Sequence, residues 1–500
     1  MTKKNKDYVS PIITMIFLII LSILISSLLA FLNLDSSKTM IVNGTLETSI
    51  VVVKNILTKD GLINFFSNII TNFNLLEPMI LLILSIMMIS IGKNSGLFKH
   101  LFKPLKKIKF KFVVFLVILV SILSTIIGDY SYIILLPLVA ILYQYLEKNP
   151  MLGIITVFLG ISLGYATGIF YNYNDFVLGT LTQVAANINV DATYKFNLNS
   201  NFYIVSITMI ILAFLLSFVI DKYLSKKMPV EEIYTDELIT SSKALFISQI
   251  FNFICIIGVI ILILPQFGGI LLDNKQEAYI AKLFSTTSPF YESFIFIILF
   301  IIALTSTIYG YISKNFKNSH DFSFALTKEF DNVGYIFILL FFYSILMGII
   351  NWTNLGVFVT NKLIILLSTL EFSGIPLIIT TFIFVIIMSI LMPGSLEKWS
   401  LISPLLIPLF MRANISPNFT QFVFSAADSV GKILTPCFIY FIIMLGLIQK
   451  YNIKENKISL FSIIKIALPI IIIITLFWLI VLIIWYLSGL PLGIGTYATM

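Results

Sequence analysis

Asp428 and Lys432 stand four residues apart in "SAADSVGKILTPCF" (425–438), with long runs of Ile, Leu, Phe and Val on both sides. At helical spacing, acid first, the two side chains share one face in the favourable order. Three kinds of chemistry suit such a pair. The two charges neutralise each other structurally; or one binds an anionic substrate group while the other orients it; or Asp428 exchanges a proton during transport, with burial set against the pull of Lys432. A charge left unpaired in such surroundings would cost several kcal/mol. The "GK" pair does not signal nucleotide binding. A phosphate-binding loop needs Gly, four residues, then Gly-Lys-Ser/Thr. Here the first glycine is missing and Ile433 follows the lysine.

Other polar residues interrupt apolar runs. Asp129 and Asp175 each follow one, within 126–179. They sit either in interfacial turns or, for at least one of them, against a polar cavity at the break of a re-entrant hairpin. Trp399 follows Glu397 and Lys398, either as an interfacial aromatic anchor or as a wall against an aryl ligand. Asn351, Trp352 and Asn354 in "GIINWTNLG" (348–356) pose the same choice. His100 and His320 are the two histidines, both expected to be solvated in loops, and Asn43-Gly-Thr fits a glycosylation pattern. With only two histidines and no HExxH, an embedded enzyme is not expected.

The elements that must position these residues are membrane helices. Of the 500 residues, 59% are hydrophobic and only 11% charged, against about 25% charged in a soluble domain. Mean hydropathy is +1.03. Segments such as 12–32 and 463–487 are long enough to span about 30 Å of hydrocarbon as helices, and their continuity excludes a β-barrel. The first run is too long for a signal-peptide core and reads as a retained span. Cys255 and Cys437 lie far apart in apolar sequence, so neither a disulfide framework nor a zinc site is expected.

Lysines cluster at 3–6, 99–111, 221–243 and 449–457, which places these segments in the cytoplasm by the positive-inside rule. Residues 33–73, 185–200 and 266–280 then face the other side, and the number of crossings is odd. The net charge of +8 is a topology signal, with no nucleic-acid partner implied. A polar linker, 222–245, divides two halves, 1–221 and 246–500. Each half holds a broken region: about 128–179, with Gly160, Gly164 and Gly168 at four-residue spacing on one helix face and with Asn172 and Asn174; and about 388–438, interrupted by Pro393, Pro404, Pro408, Pro417 and Pro436. Such breaks survive at membrane depth only where protein or a polar cavity satisfies the freed groups, and Ser389, Ser395, Ser400 and Ser403 have the hydroxyls to do so. Paired breaks point to an inverted repeat with a midplane binding site.

Several stretches resemble the AbgT family of p-aminobenzoyl-glutamate transporters: "GDYSYIILLPLVAILYQYLEKNPMLGI", "GISLGYATGIFYNYNDFVLG", "INWTNLG", "GSLEKWSLISPLLIPLFMRANISPNFTQFVFSAADSVGKILTPCFIYF" and the final "LPLGIG". The resemblance implies an all-α polytopic protein with about nine transmembrane helices and two re-entrant hairpins. It implies a homodimer in the bacterial cytoplasmic membrane and ion-coupled transport of an anionic aromatic substrate, p-aminobenzoyl-glutamate or a related conjugate. The coupling ion is H+ or Na+, and no cofactor is implied. Some members resemble proton-driven exporters of sulfonamide antimetabolites; a channel is the alternative from another class.

By motif, the family's hairpin aspartate matches Asp175, its tryptophan Trp399, its Ser-Pro proline Pro417 and its Asp-Ser aspartate Asp428. This chain departs from the pattern elsewhere. Ser425 replaces the family's arginine, Lys432 an asparagine, Leu396 a serine, Ser389 an asparagine, and Gly168 the hairpin asparagine. The loss of arginine and the gain of lysine flank one carboxylate, so Lys432 is expected to take over the arginine's role without its bidentate fork.

Overall fold

In a computed structural model of the 500-residue chain, the described residues are 9–42, 45–169, 173–189, 191–228, 238–285, 287–452 and 458–500, with no account of the side chains of 173, 174 and 189. The N-terminal lysines, Asn43, Asn172, the Asn174 side chain and most of the charged linker lie outside that description, as do 453–457 of the basic loop.

The first half runs α1 (Pro11–Phe31), β1 (Asp35–Val42), β2 (Thr45–Val52), α2 (Lys59–Asn74), α3 (Glu77–Asn94), α4 (Leu97–Phe102) and α5 (Phe110–Leu123). It continues with α6 (Tyr130–Tyr145), α7 (Pro150–Gly164), α8 (Tyr173–Asn189), α9 (Phe202–Val219) and α10 (Ser225–Lys227). Then come α11 (Ser242–Ile263), α12 (Tyr279–Phe284), α13 (Pro289–Ile312), α14 (Ser319–Thr327), α15 (Gly334–Trp352) and α16 (Leu355–Thr369). The chain ends with α17 (Gly374–Leu391), α18 (Ser395–Arg412), α19 (Pro417–Gly431), α20 (Ile439–Lys450) and α21 (Leu460–Ser488). Among the described residues, ten helical stretches are long and apolar enough to cross a bilayer, against the nine or so expected. One of the ten, Pro417–Lys450, includes an arm of the second broken region, which apolarity alone does not set apart from a span.

The all-α expectation needs one correction. β1 and β2 form an antiparallel pair, in register from Asp35↔Val52 to Val42↔Thr45. The signal was readable: β-branched runs flank Asn43-Gly44, a strong hairpin pair. The hairpin buries Val51 and packs with Val53 on Phe358 of α16.

The two broken regions each hold two successive helices in contact, α6 with α7 and α18 with α19. Helix starts follow local rules. Asn149 caps α7 through Met151 N at 2.9 Å and Ser416 caps α19 through Phe419 N at 3.3 Å, each with proline in the first turn. α7 lies close against α5 because its glycines admit no side chain. A Cβ on Gly160 would stand 2.8 Å from Ser121 Cβ, and one on Gly164 would stand 2.6 Å from Ile122 Cγ1. Gly168 does not join them, contrary to the expectation of one shared face. α7 ends at Gly164, and the Gly168 N–H reaches Val205 O at 3.4 Å from a loop. Four-residue spacing carries no information once the helix has stopped.

The proline reading also needs correction. Pro404 and Pro408 lie inside α18, and only Pro393, Pro417 and Pro436 fall at or between helix ends. The serines do not act together as expected either. Ser400 Oγ donates to Glu397 O, Ser403 Oγ has no partner, and Ser389 and Ser395 turn to a carboxylate.

Candidate functional site

α17 and α19 run side by side so closely that a Cβ on Gly431 would lie 2.5 Å from Ser389 Cβ. This contact places Asp428, three residues earlier on α19, against the C-terminal end of α17 and the first turn of α18. Asp428 is 1% exposed, so each of its oxygens needs partners. Oδ1 accepts from Lys398 Nζ at 2.5 Å and lies 2.9 Å from Ser389 Oγ. Oδ2 accepts from Ser395 Oγ at 2.6 Å and faces Lys432 Nζ at 3.3 Å.

The two lysines differ. Lys398 is fully buried and uses its ammonium hydrogens on Asp428, on Ser389 Oγ at 2.6 Å and on Met392 O at 2.9 Å. The Met392 carbonyl is available because the chain leaves the helix there. Lys432 makes one longer ionic contact. It stands over the Tyr165 ring, 4.0 Å from the centroid, and 5.7 Å from that of Phe438. Its ammonium therefore keeps donor capacity in an aromatic setting.

Trp399 is fully buried, which excludes the interfacial-anchor reading. Its indole N–H reaches Leu178 O at 3.1 Å and Thr182 Oγ1 at 3.0 Å on α8. Thr182 in turn donates to Gln421 Oε1 at 2.8 Å. Phe424 packs on the indole at 4.5 Å between centroids. This polar chain ties the α18–α19 pair to α8.

The structure thus gathers Asp428, Lys432 and Ser389, with Trp399 packed alongside. Asp175, Ser425 and Gly168 line a neighbouring cavity of about 30 Å³, room for little more than a water. Asn351 lines a different cavity of about 440 Å³, with Glu397, Tyr343, Phe438 and Tyr440. Pro417 stands apart. It begins α19, eleven residues before Asp428, or about 16 Å along the helix axis. Lys398 and Ser395 were missed as site residues. A lysine between an acid and a tryptophan at the edge of an apolar run was the available signal. His100 is not merely solvated, since its Nδ1 lies 3.0 Å from the Tyr309 hydroxyl.

Residues 5–500 match the family model described as "AbgT putative transporter family". The chain is similar to the p-aminobenzoyl-glutamate transport protein of Escherichia coli (strain K12): 24% identical over 494 residues, covering 97% of this chain and 94% of that one. Two solved structures share its fold. One is the YdaH transporter of Alcanivorax borkumensis, with TM-score 0.50 and 22% identity, covering 97% of this chain and all of that one. The other is MtrF of Neisseria gonorrhoeae, from a class of antimetabolite efflux pumps, with TM-score 0.50 and 23% identity, covering 98% of each chain.

Proposed function

The chain belongs to the AbgT transporter family, and from that premise we propose that it is a secondary transporter of p-aminobenzoyl-glutamate or a related aromatic amino-acid conjugate. The observation that carries this reading is Lys432, a buried ammonium with spare donors among aromatic rings. A carboxylate on an aryl group has the matching chemistry. The glutamate part of the E. coli relative's named substrate supplies carboxylates, and its benzoyl part a ring.

Alternating access suits the arrangement. The α6–α7 and α18–α19 pairs are read as two re-entrant hairpins of an inverted repeat, entering from opposite sides, with α5 and α17 as corresponding scaffold helices. The division into halves at 222–245 belongs to the same reading. So do the homodimer and the bacterial inner membrane, which rest on the family resemblance. Ser425 on α19 lines the small pocket beside Asp175, and Met392 and Glu397, next to the Asp428 group in sequence, line the larger cavity beside Asn351. That asymmetry supports a state open on one side only.

Reconstituted protein should take up p-aminobenzoyl-glutamate saturably, and an imposed proton or sodium gradient should change the rate. Lys432→Met should abolish that uptake while the protein still folds. Equal flux by wild type and K432M would overturn the role given to Lys432. Unsaturable, channel-like currents would overturn secondary transport. Uptake against release of the same substrate in oriented vesicles assigns import or export.

A further inference from the structure

Asp129 is the one site candidate whose chemistry the arrangement around Asp428 does not absorb. It occupies the N-cap position of α6 but makes no capping hydrogen bond. Its Oδ1 is buried and has no hydrogen-bond partner. A bare buried carboxylate oxygen is costly, so a native one calls for an explanation. Asp129 is also set between two cavities. It lines the 440 Å³ cavity with Glu397 and Asn351, and one of about 340 Å³ with Glu77, Tyr130 and Tyr291; Tyr440 lines both.

Among the described residues, neither cavity has a lysine, arginine or histidine in its wall, whereas Glu77, Glu397 and Asp129 all face one or the other. Such walls concentrate protons and cations. From the protein side, the groups acting on Asp129 are Lys432 after α19, Asp428 on α19 and the Tyr165 hydroxyl after α7. Lys432 pairs with Asp428 and stands 5.7 Å from the ring of Phe438, which shares the wall of the 440 Å³ cavity with Asp129.

Charge counting then distinguishes two states. With Asp129 ionised, two lysines (398 and 432) face two aspartates (129 and 428), and the buried group is neutral. With Asp129 protonated, the same group carries one net positive charge, and the Lys432 ammonium loses a competitor. We propose that Asp129 is the proton-binding site of this protein, and that its protonation turns the Lys398–Asp428–Lys432 group from neutral into an anion-binding centre. The proton arrives through the acidic cavities and sits on the Asp129 carboxylate; no other bond is made or broken. A metal cation suits the position less well, because Lys432 already supplies positive charge there. The anion half of this proposal rests on the substrate reading above; the proton half does not.

Infrared difference spectra of the full-length protein in lipid test the proton half without substrate. As pH falls from about 9 to about 5, a protonated-carboxyl C=O band should grow. Asp129→Asn should remove it and Asp175→Asn should not. With p-aminobenzoyl-glutamate as the probe, wild-type affinity should fall about tenfold per pH unit once Asp129 ionises, and D129N should bind with no pH dependence. A pH gradient should no longer drive accumulation by D129N, while exchange persists. A band that survives in D129N, or an unchanged pH dependence, overturns the proposal. If D129N fails to fold, D129E must shift both band and pH profile; an unshifted band overturns the assignment. A band lost in D129N from a protein that binds no probe supports the proton site and removes the substrate reading. Probe binding that is pH-independent in the wild type keeps the substrate reading and overturns the link from Asp129 to anion binding.

Discussion

Lys398 Nζ and Asp428 Oδ1 meet at 2.5 Å across thirty residues of chain, closing an ion pair between α18 and α19 that is buried on both sides. Lys432, on the same helix end as Asp428, stands off at 3.3 Å. The through-space pair is therefore the tighter one, and the i,i+4 pair is the looser.

That difference predicts unequal costs. Lys398→Met leaves the Met392 carbonyl and the Ser389 hydroxyl without their donor and should destabilise the protein by about 3–5 kcal/mol, the range for breaking a buried pair. Lys432→Met should cost less, because Asp428 keeps Lys398 and both serines. Thermal unfolding in detergent compares the two; a K432M protein less stable than K398M would contradict this ordering.

Trp399→Phe keeps the ring against Phe424 but removes the donor shared by Leu178 O and Thr182 Oγ1. Leu178 O still accepts from Thr182 Oγ1 at 2.8 Å, so the loss should be about 0.5–1.5 kcal/mol, the net worth of one hydrogen bond. Combined with Thr182→Val it should be less than additive, since both substitutions break one network. Simple additivity in a double-mutant cycle would separate Trp399 from α8.

Gly431→Ala places a methyl group 2.5 Å from Ser389 Cβ and 3.0 Å from Ile386 O. Backbone has to move, so about 1–3 kcal/mol of stability should be lost. Because the displaced residue is Ser389, substrate affinity should fall as well. Gly258→Ala, where a Cβ meets nothing within 4 Å, is the control and should change neither. Equal behaviour of the two variants would mean that α17 and α19 are not locked together.

Glu329 gives a pH dependence outside the spans. Burial pushes its carboxyl up from 4.5, but the Lys450 and Lys93 ammonium groups outweigh that and hold it down to about 2. Lys93 Nζ lies 2.6 Å from Oε1 and Lys450 Nζ 2.9 Å from Oε2, so Glu329 joins α3 to α20. The folded value lies below the unfolded one. Its contribution, of order 3 kcal/mol, is therefore complete above about pH 4.5 and lost as pH falls toward 2. Glu329→Gln should lower the melting temperature at neutral pH and flatten the acid limb of stability against pH. An acid limb identical to the wild type would place the titrating group elsewhere.

Much of this was legible in the residues themselves. Long apolar runs need a bilayer, whatever the tertiary arrangement, so the polytopic helical class followed from composition. Asp428 was legible for the same reason: a carboxylate amid Ile and Phe has to be compensated. The β-hairpin was overlooked although its Asn-Gly pair stood in plain view between β-branched runs.

What the sequence determined by itself was local: which segments are helical, where Ser416-Pro417 starts α19, and that Asp428 and Lys432 lie one turn apart. Only the tertiary structure decided which charges are neighbours. Lys398 is thirty residues from Asp428, and Ser389 and Ser395 come from two other helices. Asp129, from the opposite half of the chain, lines one cavity with Met392 and Glu397 beside that group. Spacing predicts contacts within one helix because 3.6 residues make a turn, and no such period relates side chains on different helices. Those contacts were set by the close approach of α17 and α19 at Gly431 and by the meeting of the two helix pairs at Tyr165 and Lys432.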